Sequence, residues 1–237
     1  FYGRMGEVNG LDCGHGVSLI SGDMTGLQAQ SLAGYTGGDL RGFSGTGLAS
    51  LVKGDCMGVQ YSGILNWTGG DLYGVQAAGI VNIAGEVNGV QAGLINISDQ
   101  MNGVPLGLIN ISRNGGIQLS GWHSSLTDAN TGVRFRAGHF YSLFSFGFTS
   151  SNYSNYSKTV DSTEKLSQSF AIGARIPIGF LYLNTDAGIV NIDREDLYSL
   201  DEGQDEWGPR FRAMLELELF GGLSVFGGIG STYLMGT

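Results

Sequence analysis

Four aspartates, Asp23, Asp39, Asp55 and Asp71, recur sixteen residues apart, each directly after a glycine. On successive turns of a stacked chain such carboxylates would line up as an outward acidic row able to recruit a divalent cation through oxygen ligands. The competing chemistry is local. An aspartate at a turn caps its own backbone by an Asx hydrogen bond, and that reading is preferred, so no metal is expected and these four residues stand only as weak candidates. The three histidines, His15, His123 and His139, are scattered without metal-ligand spacing. Asn66-Trp-Thr, Asn96-Ile-Ser and Asn110-Ile-Ser match the glycosylation sequon, yet these asparagines recur at one place in a repeat, which favours a stacking role. Gly42-Phe-Ser-Gly-Thr-Gly47 contains a GxG, but no helix is expected after it to hold a phosphate.

The element that must position these residues is the repeat itself. Its opening glycines are Gly10, Gly26, Gly42, Gly58, Gly74, Gly89 and Gly103, at spacings of 14 to 16 residues. One apolar column follows them (Leu11, Leu27, Phe43, Val59, Val75, Val90, Val104), and another closes each copy (Met24, Leu40, Cys56, Leu72, Val87, Met101). Between them lie apolar pairs such as Ile64-Leu65, Ile80-Val81, Leu94-Ile95 and Leu108-Ile109, each followed by an asparagine: Asn66, Asn82, Asn96, Asn110. Units this short, glycine-rich and β-branched are strands rather than helix pairs. Stacked in parallel at about 4.8 Å, the four asparagines would hydrogen-bond from coil to coil, and the apolar columns would be buried by the neighbouring copies. Cys56 then reads as a small buried hydrophobe. Cys13, about two and two-thirds coils away, would lie roughly 13 Å from it, too far for a disulfide.

Beyond about Ser112 the period changes to two. In RFRAMLELELF, Phe211, Ala213, Leu215, Leu217 and Leu219 share one face, and Arg212, Met214, Glu216 and Glu218 the other. Arg134 and Arg136, Arg175, and Asn184 with Asp186 extend the polar face on other segments. Seven strands are expected, near 117–123, 131–139, 141–149, 168–178, 180–191, 208–219 and 222–233. Longer polar connections at 124–130, 150–167 and 192–207 alternate with tight links near 140, 179 and 220. That rhythm, with arginines and carboxylates placed to pair across an interior, is the pattern of an outer-membrane barrel. A soluble antiparallel sheet with its apolar face against another protein layer is the alternative. Seven strands are one short of the smallest even barrel, and an eighth could come from the end of the repeats.

The expected fold class is therefore all-β: an N-terminal parallel β-solenoid of 14–16-residue coils over residues 1–112, then an antiparallel β-meander or small outer-membrane-type barrel over residues 113–237. Composition agrees: 42 glycines, 3 prolines and only 14% charged residues in 237, against roughly 25% charged in ordinary soluble domains. The net charge of −9 argues against a nucleic-acid partner. No run approaches the roughly 18 apolar residues of a membrane-spanning helix. The first residue, Phe1, suits a mature exported chain or a trimmed one.

The copies from Gly58 to Ser112, GVQ…GLIN in form, resemble a bacterial surface-repeat family first recognised in leptospiral proteins and widespread in Bacteroidota. GVPLGLINISRNGG running into TGVRFRAGHFYSLFSFGF is similar to the way such repeats pass into a barrel-like tail. The resemblance covers residues 58–112 best and implies an exported, envelope-associated protein; it carries over no catalytic residue.

The function expected is a non-enzymatic structural or interaction protein of the cell surface or outer membrane, without cofactor, its partners being other envelope proteins or glycans. A glycan-binding module or scaffold subunit is the alternative, with Trp67, Trp122, Tyr153 and Tyr156 as sugar-stacking candidates, although Trp67 is expected in the column of Ile83, Ile97 and Ile111. A polysaccharide-active β-helix enzyme is the remaining alternative. It would need a localised carboxylate pair that the regular Asp series does not supply.

Overall fold

The computed structural model describes residues 2–150, 163–196, 206–220 and 223–236. The chain divides into two compact units: Phe1–Gly116 with Phe135–Phe140, and Ile117–Arg134 with Tyr141–Thr237. Every regular element among the described residues is a strand.

The first unit is a parallel β-solenoid of about seven turns. Each early coil contributes one four-residue and one seven-residue strand, as in Leu65–Thr68 and Leu72–Ala78. Val81–Ala92 runs through both positions without a break and joins the two faces into one sheet. Like residue pairs with like: Gly74 with Gly58 and Gly89, and Val75 with Val59 and Val90. Trp67, Ile83, Ile97 and Ile111 form the expected column.

The repeating glycine follows from two constraints at once. Gly26, Gly42, Gly58 and Gly74 have φ between 126° and 142°, where a side chain is strained. A Cβ at any of them would also overlap the carbonyl oxygen of the equivalent glycine one coil earlier.

The interior departs from the expected one. The closing column is buried as expected, with Met24, Leu40, Cys56, Leu72 and Val87 fully enclosed. The column after each opening glycine is not: Leu11 is 77% exposed, and Val59, Val75, Val90 and Val104 are only half-buried. Ile64, Ile80, Leu94 and Leu108 are exposed as well. In the space that apolar residues were expected to fill lie the side chains of Gln60, Gln76 and Gln91 and of Asn66, Asn82, Asn96 and Asn110, all buried. The reason is alternation. Strand residues point in and out in turn, so once Leu72 points inward Gln76 must also, and Val75 must point out.

The second unit is an antiparallel sheet curled into a half-barrel. Its ladder runs in chain order through Gly116–Trp122, Ala129–Ala137, Phe140–Ser150, Thr163–Ile178, Leu181–Asp196, Glu206–Glu218 and Ser224–Thr232. The seven strands match the expected ones, those at Thr163–Ile178 and Leu181–Asp196 being longer, at 16 residues each. The eighth strand does not come from the repeats: it is Met235–Gly236, which pairs with Trp207 and Glu206.

Candidate functional site

On the strand Glu206–Glu218, Arg210, Met214 and Glu216 are buried, while Trp207, Phe211, Ala213, Leu215 and Leu217 are exposed. Register carries this alternation across the sheet, placing Asn184 beside Met214 and Asp186 beside Arg212. On the next strand Arg175 lies opposite Asn184. The concave face thereby collects the charge of the unit. Its opposite face carries exposed Ile117, Leu119, Phe146, Phe148, Ile176, Ile189, Phe211, Leu215 and Ile229, the last at 81% exposure.

Glu216 is the hub. It accepts from Arg134 at 3.4 Å, from Arg175 Nε and Nη2 at 3.3 and 3.2 Å, and from Asn184 Nδ2 at 2.7 Å. Arg175 also pairs with Glu218 at 3.0 Å and stacks its guanidinium 3.2 Å over the Tyr182 ring centroid. A second cluster forms on Asp186, which takes both Arg212 Nε and Nη2 at 2.9 Å and the Tyr141 hydroxyl at 3.0 Å. The Arg134–Glu216 pair bridges strands that are not ladder neighbours, so the charges pair across the hollow of the curl. Gln118 reaches Ser224 at 3.0 Å, and Trp122 meets Phe226 edge-on at 6.3 Å, so side chains join the first and seventh strands. Charge-assisted bonds of this kind are about twice as strong as neutral ones, and a dry surrounding strengthens them further.

Arg134, Arg175, Asn184, Asp186, Arg212, Glu216 and Glu218, all read from the sequence as polar-face residues, thus come together. Arg136 belongs to the first unit instead. Arg210, Tyr141, Ser145 and Ser169 were missed. For Arg210 the signal was present, because the period of two extends one step back from Arg212. Arg210 donates to Ser169 Oγ at 2.7 Å, and Ser169 shares a short hydrogen bond with Ser145.

In the solenoid the asparagine ladder forms as expected: Asn66 Nδ2 to Asn82 Oδ1 at 3.0 Å, Asn82 to Asn96 at 3.0 Å, Asn96 to Asn110 at 2.8 Å. A parallel glutamine ladder, which the recurrence of Gly-Val-Gln signalled, runs from Gln91 to Gln76 at 2.8 Å and from Gln76 to Gln60 at 2.9 Å.

The aspartate row does not form the expected local caps. Asp23 Oδ1 accepts the backbone N–H of Asp39 at 2.9 Å, Asp39 that of Asp55 at 3.0 Å, and Asp55 that of Asp71 at 2.8 Å; Glu86 N–H ends the series on Asp71 at 2.9 Å. Each carboxylate therefore caps the next coil rather than its own turn. The glycine before each of Asp39, Asp55 and Asp71 makes room for the preceding carboxylate, since a Cβ there would overlap its Oδ1. Among the described residues no three of His, Cys, Asp and Glu converge to hold a metal.

Both cysteines are free, Cys13 exposed and Cys56 buried. His15 and His139 are exposed; His123 is also exposed and bonds the Asp128 carbonyl at 2.6 Å. Trp122 lies on the concave face with Arg212 5.5 Å from its ring centroid, and Tyr153 and Tyr156 fall outside the described residues.

Comparison with known proteins gives no match: no family model, no curated protein and no solved structure aligns significantly with this chain.

Proposed function

We propose that the chain is a non-enzymatic structural or interaction protein of the bacterial envelope, of the surface-repeat kind that its GVQ…GLIN copies resemble, with its second unit seated in the outer-membrane bilayer. The observation that carries this reading is inverted polarity: ion pairs on the concave face and exposed Phe146, Ile189, Phe211, Leu215 and Ile229 on the opposite one. Burying such a side chain is worth about 1.5–3 kcal/mol, a gain that a monomer in water forgoes at every one of these positions. In hydrocarbon the same face is solvated and the ladder satisfies the backbone of the inner strands, while side chains rather than a ladder join the two outermost, Gly116–Trp122 and Ser224–Thr232. The strands Ala129–Ala137, Phe140–Ser150 and Glu206–Glu218, of 9, 11 and 13 residues, have the length of tilted spans, which need about 9–11. No helix among the described residues is long and apolar enough to cross a membrane.

The solenoid serves as the interacting part. The half-buried column Leu65, Val81, Ile95 and Ile109 and the exposed ridge Ile64, Ile80, Leu94 and Leu108 present apolar rows in register to the outside. Such rows suit a flat apolar face of another envelope protein better than a hydrated glycan. The Asp series commits an oxygen of each carboxylate to the next coil, and so regular a series supplies no localised carboxylate pair for a polysaccharide enzyme.

Flotation tests the bilayer reading. The full chain, refolded from urea into detergent and then into phosphatidylcholine vesicles, should float with the vesicles, resist alkaline extraction and gain sheet signal. Leu215→Arg, on the lipid-facing side, should lower the yield of floated protein, since a cation there costs up to about 2–4 kcal/mol. A monodisperse monomer in detergent-free buffer that ignores vesicles would refute it.

A further inference from the structure

Arg210 stands apart from the other arginines of the concave face. Arg134 and Arg175 pair with Glu216, and Arg212 holds Asp186 with two nitrogens. Arg210 is 8% exposed, and among the described residues its Nη2 donates only to the neutral Ser169 hydroxyl while its Nε has no hydrogen-bond partner. Asp186 acts on it only through space: its oxygens already accept from Arg212 and Tyr141, and no ion pair between Asp186 and Arg210 forms among the described residues. An arginine does not escape by deprotonating. A buried guanidinium with no ion-pair partner among the described residues therefore leaves room for an anion.

The space beside it is built into the sequence. A cavity of about 220 Å³ within this unit is lined by Arg210, Arg212, Ser167, Asn130, Met214 and Gly228, among others. On the strand Ser224–Thr232 the positions opposite Met214 and Arg212 are Gly228 and Gly230, so that strand puts no side chain into the hollow at those two positions, while Phe226 and Thr232 line it to either side. Gly147 does similar service from another side: a Cβ there would overlap Ser167 Oγ, Asn130 Oδ1 and Thr127 Oγ1, so its absence lets those three polar groups converge. The cavity thus has a buried cation with no ion-pair partner among the described residues, and the Ser167 hydroxyl among its lining groups.

We propose that this cavity binds a phosphate-class oxyanion, with Arg210 as its counter-ion and Ser167 as a supporting donor. The Nε–Nη2 edge of a guanidinium matches two oxygens of a phosphate, and neutral donors around it can take the remaining oxygens. The anion is either free phosphate or the phosphate end of a small ester, both of which present the same oxygens to the arginine. The inference goes beyond the membrane reading and does not require it, since it depends on the concave face alone.

The experiment is calorimetric titration of the full folded chain, in buffer or in detergent, with inorganic phosphate, glycerol 3-phosphate and, for comparison, acetate. Emission of Trp122 in a Trp67→Phe, Trp207→Phe background serves as a local reporter. One saturable site for phosphate or for glycerol 3-phosphate is expected, and acetate should bind more weakly. Arg210→Gln should weaken binding tenfold or more, Ser167→Ala several-fold, and Arg113→Gln, an exposed arginine of the solenoid, not at all. If Arg210→Gln does not fold, Ser167→Ala and the Trp122 signal decide. No saturable uptake of either phosphate, uptake unchanged in Arg210→Gln or Ser167→Ala, or uptake that leaves Trp122 emission untouched would overturn the proposal. Vesicle flotation is read separately, so the two readings can fail independently.

Discussion

Replacing Asn82 by alanine asks whether the solenoid is held from within by amides. Asn82 sits mid-ladder: its Oδ1 accepts from Asn66 at 3.0 Å, and its Nδ2 donates to Asn96 Oδ1 at 3.0 Å and to the Ala92 carbonyl at 2.7 Å. Truncation takes this donor from two buried acceptors, while Asn66 keeps its bond to the Gln60 carbonyl at 3.2 Å. Each buried polar group left unpaired costs about 1–3 kcal/mol, so the substitution should destabilise the adjoining coils by about 2–5 kcal/mol. Ile80→Ala is the contrast. That side chain is 43% exposed, and its loss should cost only about 1 kcal/mol. Hydrogen exchange of the full chain, read by mass spectrometry, reports both locally. At tenfold per 1.4 kcal/mol, exchange through the strands from Leu65 to Ser112 should accelerate about thirty-fold to several thousand-fold in Asn82→Ala and no more than about tenfold in Ile80→Ala. The effect should fade toward the first coils, because each coil is coupled only to its neighbours. Equal or reversed acceleration would mean that the apolar rows hold the coils and the amides merely fill space.

Two further outcomes are expected. Gly58→Ala combines a φ of 142° with overlap of the Gly42 carbonyl, and should cost at least about 3 kcal/mol in urea unfolding followed by Trp67 emission; Gly6→Ala, where a Cβ meets nothing within 4 Å, should be near neutral. Burial pushes the Cys56 thiol up to about 12, so at pH 8 a thiol reagent should add one label, at exposed Cys13, and a second only after denaturation. The raised value means that the fold retains this proton better than the unfolded chain does. Its contribution to stability is present below the ordinary thiol range and is lost as pH rises toward about 12.

The parts of the fold that were legible were those fixed by period. Spacing near sixteen set the coils, and Val59, Val75 and Val90 lie in register as stacking requires. Alternation set the meander and gathered Arg175, Asp186 and Glu216 onto one face. What spacing cannot show is which parity faces in. Leu72, Val75 and Gln76 all recur with the repeat, and a count of apolar residues favours enclosing the valine. Leu72 decides otherwise, because a strand of two-residue period cannot turn Leu72 and Val75 to the same side. The Asp row was misread for a related reason. An Asx turn is a local prior, whereas Oδ1 of Asp39 finds the Asp55 N–H sixteen residues on, a partner that exists only once the coils have stacked. Arg210 was missed because the polar face was counted from Arg212 onward, although the expected strand, 208–219, contains it.

In both units the inward face is the one whose polar groups can satisfy one another. In the solenoid, identical amides repeat along the stack, and an amide carries both a donor and an acceptor. A column of asparagine or glutamine can therefore pair with itself, Gln91 to Gln76 to Gln60, without water. Valine or isoleucine in that column would fill the space but would supply no direction along the stack. In the meander no residue repeats in register, so self-pairing is unavailable and satisfaction must come from unlike groups. Arginine and carboxylate meet across the curl, three cationic or amide donors converging on Glu216. Apart from the closing column Met24, Leu40, Cys56, Leu72 and Val87, which parity turns inward beside the amides, the repeating apolar residues are left outside by parity rather than by any failure of burial. Their exposure follows from the inward parity of the polar columns, and the reading proposed above, lipid against the sheet and a partner's face against the solenoid, would cover them.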